Sequence, residues 1–115
     1  MSRFDRFDQW YLRDGTVTND IRVWGEKFKD LAYKRVAETT LSDGKWVSTV
    51  WMGMDHSCDE DGPPLIFETM VFERGGSGDV DCERYSTEAE AVAGHEAMVA
   101  KWTALVGVPA PQEPK

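Results

Sequence analysis

Long apolar runs, cysteine pairs and clustered histidines are all missing from this 115-residue chain. No stretch approaches the about 18 consecutive apolar residues of a membrane-spanning helix. The N-terminus, Met1-Ser2-Arg3-Phe4-Asp5-Arg6-Phe7-Asp8, has no apolar centre of the kind a secretory signal carries. A protein of the cytoplasm with no membrane partner is therefore expected. Cys58 and Cys82 are too few and too far apart for a disulfide framework or a structural zinc site, which predicts two reduced thiols. No G-x-x-x-x-G-K-[ST] or G-x-G-x-x-G occurs, and Gly75-Gly76-Ser77-Gly78 reads as a linker rather than a phosphate cradle. Positive charge is also scarce: 13 basic residues face 21 acidic ones, and the net charge of −8 repels nucleic acid over the molecule as a whole. The acids are scattered rather than laid out in rows, which argues against a mimic of a DNA duplex.

What is present is enough for one core. Hydrophobic residues at 41% and five tryptophans exclude a disordered chain, and the length fits a single domain, expected over residues 1–107, with a disordered proline-rich tail at 108–115. The organising stretch is a hairpin, 33–41 and 46–54, around Ser42-Asp43-Gly44-Lys45. Asp-Gly suits a two-residue type I′ turn, because both central positions then take positive φ. That turn sets Leu41 against Trp46, Ala37 against Val50, Arg35 against Met52 and Tyr33 against Met54 on one side, read as the core side. The other side then carries Val36, Val47 and Trp51, so the sheet is apolar on both faces and needs cover on both.

Around the hairpin, Thr18-Asn19-Asp20 offers capping side chains to an amphipathic helix over 20–29, with Ile21, Trp24 and Phe28 on one stripe. Phe4, Phe7 and Tyr11 have helical spacing and are expected to dock on the sheet, and Arg13-Asp14-Gly15-Thr16 reads as a turn. Residues 65–72 and 80–85 read as strands, the latter an edge. Thr87-Glu88-Ala89-Glu90 has the spacing of a capping box and opens a helix over 88–106, closed by Gly107 and Pro109. The fold class is thus α+β: a small antiparallel sheet of three to four strands with both helices on one face. Two helices cannot cover two faces, which predicts a homodimer or larger ring meeting at Val36, Val47 and Trp51.

Two central segments, Trp46-Val47-Ser48-Thr49-Val50-Trp51-Met52-Gly53-Met54-Asp55-His56 and Gly62-Pro63-Pro64-Leu65-Ile66-Phe67-Glu68-Thr69-Met70-Val71-Phe72, are followed by Arg84-Tyr85-Ser86-Thr87-Glu88-Ala89-Glu90-Ala91 and Gly94-His95. Together they resemble a family of small uncharacterised proteins of tailed bacteriophages. The likeness spans about residues 10 to 104 and implies provenance, a phage accessory protein expressed in a bacterial cytoplasm, without assigning an activity to any residue.

The candidate sites are few. Asp55-His56-Ser57-Cys58-Asp59-Glu60-Asp61-Gly62-Pro63-Pro64 is a long loop between strands. Its acids satisfy most of a calcium loop's spacing, but Pro63 and Pro64 fall where that loop needs mobile backbone, and strands flank it where helices are required. A transition-metal site from His56, Cys58 and either His95 or Cys82 lacks ligand spacing, so no metal and no cofactor is expected. His95 lies in the apolar stripe of the last helix and is expected to be buried and hydrogen-bonded. Glu68 is expected to pair with Arg84 or Arg74 across neighbouring strands. No catalytic constellation is legible. The expected function is a non-enzymatic binding module holding a host protein or small signalling molecule through Trp51, His56, Pro63, Pro64, Glu68, Arg84 and Tyr85. An anionic nucleotide would require Arg84, Arg35 or Lys34 to come together. The alternatives are a small enzyme with His56, His95 and Glu68 as acid–base groups, or a structural component of the virion.

Overall fold

The computed structural model describes residues 9–55, 62–76 and 78–106. The architecture is α+β, as the residue pattern predicts: a four-stranded antiparallel sheet in the order β3-β4-β5-β6, a two-stranded ribbon β1-β2, and three helices. The strands are β1 (Trp10–Tyr11), β2 (Val17–Thr18), β3 (Arg35–Thr40), β4 (Trp46–Trp51), β5 (Phe67–Phe72) and β6 (Asp79–Tyr85). The helices are α1 (Ile21–Lys29), α2 (Leu31–Lys34) and α3 (Glu88–Ala104). Asp20 caps α1 by accepting from the Arg22 N–H, and Thr87 and Glu90 close a complete capping box at α3. Asp30 ends α1 and caps α2, whose single turn occupies Tyr33 and Lys34, two residues expected in the strand. The tail 108–115 and the residues Phe4 and Phe7 lie outside the described residues; Tyr11 is in β1 rather than a helix.

The hairpin turn differs from the expected one by a single residue. The Gly44 N–H donates to Leu41 O at 2.9 Å and the Leu41 N–H to Lys45 O at 2.7 Å, while Gly44 takes φ 94° and, among the described residues, no residue other than glycine has positive φ. Asp43 therefore keeps an ordinary backbone, with its carboxylate accepting from the Lys45 N–H at 3.0 Å. One left-handed glycine after a right-handed turn needs one more loop residue than a type I′ turn, and it spares aspartate the cost of that conformation. The pairing becomes Thr40 with Trp46, Glu38 with Ser48 and Arg35 with Val50, with a bulge at Val36.

A slip of one residue changes which side is which. The core side is Val47, Thr49 and Trp51 with Val71, Thr69 and Phe67, the side first read as the outer one, and α3 runs across it over all four strands. Val36, Val47 and Trp51 are consequently not an oligomer interface. Val47 and Trp51 are 0% exposed inside the chain's own core, Val47 among Leu41, Val71 and Met98 and Trp51 in a second cluster that the half-buried Val36 packs against. The indole N–H of Trp51 donates to Tyr11 O at 2.8 Å, and Phe28 and Tyr33 lie on its ring. Arg13 locks this N-terminal layer down by donating to Tyr33 O and pairing with Glu88 at the start of α3, both at 2.8 Å. The case for self-association through that face disappears with its residues.

Candidate functional site

The side of the sheet away from α3 is a grid of three rows that the register defines. The first is Arg35, Val50, Glu68, Arg84; the second Glu38, Ser48, Met70, Cys82; the third Thr40, Trp46, Phe72, with Asp79 across a bulge. No described helix lies over it. Only Leu31 and Lys34 of α2 lean across its margin, where with Arg35, Trp46, Ser48 and Val50 they line a hollow of about 170 Å³. Trp46 and Phe72 stack with centroids 5.2 Å apart, and Trp46 is the one exposed aromatic among the described residues.

Glu68 is the buried charge of this face. Its side chain is 12% exposed, and Arg84, directly opposite on β6, donates to it from Nε at 2.9 Å, the ion pair the strand pattern predicts. Cys82 Sγ stands 3.6 Å from the same carboxylate oxygen. Burial, and then the charge of Glu68, push the Cys82 thiol up, so it is a poor nucleophile.

On the other side a chain of hydroxyls crosses the core beneath α3. His95 meets Thr39 Oγ1 through Nε2 at 2.9 Å and Thr49 Oγ1 through Nδ1 at 2.7 Å, and the Thr49 hydroxyl also bonds that of Thr69. Burial pulls the His95 pKa below its ordinary value of 6.5, with Glu96 opposing, so the ring is neutral at pH 7. At the end of the row the Tyr85 hydroxyl is enclosed without a hydrogen bond among the described residues. Burial raises its pKa; the Thr69 hydroxyl opposes this in part, although its geometry falls short of a bond. This row was invisible in the sequence, because Thr39, Thr49 and Thr69 come together only through strand register.

The residues expected to share one site are split by the sheet. Trp51 and Tyr85 are on the α3 side, and Glu68 and Arg84 on the open side. Pro63 is exposed and Pro64 half-buried in the segment leading to β5, while His56, with Cys58 and the acids 59–61, lies outside the described residues. Among the described residues no group of three potential ligands is placed to hold a metal. Arg35 and Arg84 end one row on the open face, with Lys34 beside the first; they share a surface but stand three strands apart, about 14 Å. Residues that the sequence did not single out are Trp46, Phe72 and Ser48. Their signal was the odd spacing of Trp46 and Trp51, which obliges one strand to show a tryptophan on each face. Comparison of the chain with family models, curated proteins and solved structures finds no match.

Proposed function

We propose that this is a non-enzymatic interaction module that engages a host protein through the open face of its sheet, as an accessory protein of a tailed bacteriophage acting in the bacterial cytoplasm. The phage provenance rests on the resemblance of the two central motifs. The binding role rests on Trp46, 37% exposed on a central strand and stacked on Phe72 of the same face, the one exposed aromatic among the described residues. A tryptophan left in water forgoes about 1.5–3 kcal/mol of burial, and such residues anchor protein interfaces. Arg35 and Arg84 at one end of the grid favour a partner segment that is apolar in the middle and acidic at its edge. Less favoured is the enzymatic alternative with His56, His95 and Glu68, because Glu68 and His95 stand on opposite sides of the sheet; His56 lies outside the described residues.

The test places a photo-crosslinking amino acid at Thr40 or Cys82 on the open face and at Val92 on the outer side of α3, in bacteria expressing the protein. The reading expects one host-protein adduct from Thr40 and Cys82 that Trp46→Ala removes, and none from Val92. Adducts shared by both sides, or none at all, refute it. An adduct of twice the chain's own mass assigns the face to a second copy and refutes a host partner.

A further inference from the structure

The hollow beside Trp46 has a polar floor. Ser48 is 9% exposed, and its hydroxyl, which has no hydrogen-bond partner among the described residues, is not fully enclosed and opens into the hollow. Around it stand one flat wall, the Trp46 indole, and two aliphatic ones, Val50 and Leu31, the latter 67% exposed at the rim. Arg35 stands at the β3 side. It is ion-paired to Glu38 at 3.0 Å through Nε, and its side chain is 52% exposed. Lys34 contributes its stem, because its ammonium is held 3.7 Å above the ring of Phe28. The hollow, about 170 Å³ and open on its outer side, has room for a ring and a substituent.

We infer that this hollow receives a single aromatic ring bearing an acid group. The ring lies against Trp46 and Val50, Ser48 donates to the acid or to a ring substituent, and the Arg35 fork takes the negative charge. The inference deepens the reading of the open face as a binding surface and rests on it, since the same group can be a free aromatic acid or the terminal residue of a partner protein. The net charge of −8 opposes any anion at long range. At physiological salt that opposition is screened beyond about 8 Å, which leaves the local fork to decide.

The experiment titrates isotopically labelled full-length protein with benzoate, benzamide and acetate, following backbone amide resonances at physiological salt. Benzoate is expected to shift the amides of Leu31, Ser48 and Val50 saturably. Benzamide, which has the ring without the charge, and acetate, which has the charge without the ring, are expected to bind at least tenfold more weakly. Arg35→Gln should reduce benzoate to the level of benzamide, and Ser48→Ala should weaken both ring compounds. A peptide ending in phenylalanine with a free carboxylate that outcompetes benzoate assigns the group to a protein terminus; failure to compete assigns it to a free acid. Equal binding of benzoate and benzamide, or shifts confined to the groove between α3 and β3, overturns the inference. If benzoate is silent while the crosslinks from Thr40 and Cys82 persist, the hollow is wrong and the open face stands. If both fail, the fault lies in the reading of the face.

Discussion

The Thr49 hydroxyl carries more of the fold than its neighbours do, and removing it alone is the sharpest test of the buried row. Thr49 is 0% exposed and bonds both Thr69 and His95. Thr49→Val keeps the shape and strips two partners at once, leaving His95 Nδ1 and the Thr69 hydroxyl enclosed without water. Each orphaned group costs about 1–3 kcal/mol, so a loss of about 2–6 kcal/mol is expected. Thr69→Val removes one bond while Thr49 keeps His95, and about 1 kcal/mol is expected. In the double variant no Thr69 hydroxyl is left to orphan, so its loss should fall short of the two single losses together by about 1 kcal/mol or more. Urea unfolding followed by far-ultraviolet circular dichroism, at unchanged m-value, measures all three. A Thr69→Val loss equal to or above that of Thr49→Val, or strict additivity, would show that the hydroxyls do not act as a row.

Three further outcomes follow from the same contacts. Because burial holds the His95 pKa below 6.5, the unfolded chain binds that proton more readily than the folded one. Stability is then full above about pH 6.5 and declines as pH falls toward the folded-state value, by at most about 1.4 kcal/mol per pH unit; His95→Gln should flatten that part of the curve in chemical denaturation across pH. Gly94→Ala drives a methyl into the ring and hydroxyl of Tyr85 and should destabilise by about 1–3 kcal/mol, with Tyr85→Leu recovering part of the loss in thermal unfolding. Arg84→Ala leaves the Glu68 carboxylate without its main partner; as Arg84 is itself 45% exposed, the loss should be about 1–2 kcal/mol and should vanish in Glu68→Leu/Arg84→Ala, measured by urea unfolding.

The elements with strong local chemistry were legible in the residues. Thr87 and Glu90 announce α3, Asp20 announces α1, and Glu68 with Arg84 follows from placing two strands side by side. His95 was expected buried and bonded, and it is, but its partners could not be named before the register was known. Asp43-Gly44 failed as a guide for a specific reason: glycine in the left-handed region serves a two-residue loop and a longer one equally well. The difference lies in Asp43, which Lys45 holds in an ordinary conformation through its N–H and its ammonium, 2.8 Å away. The turn of α2 was missed because Tyr33 and Lys34 favour no state strongly, and the Asp30 side chain, accepting from the Ala32 and Tyr33 N–H groups, decides it.

The face left open is selected from beneath. Trp46 and Trp51 sit five positions apart on one strand, so whichever side α3 covers, one indole is enclosed and the other shown. Within β4 alone hydrophobicity does not choose between them, but the neighbouring strands do, since Arg35, Glu38, Glu68 and Arg84 all stand on the side of Trp46. The buried histidine points the same way: its two ring nitrogens find hydroxyl partners in Thr39 and Thr49, with Thr69 beside them, on the side of Trp51, while Ser48 and Thr40 stand on the other. Docking α3 on the threonine side satisfies His95, encloses Trp51 under Phe28 and Tyr33, and gives its N–H to Tyr11. The same choice leaves Ser48 without a partner among the described residues and Trp46 facing water, so the surface through which the protein is proposed to act is the side of β4 that remains once the helix has taken the other.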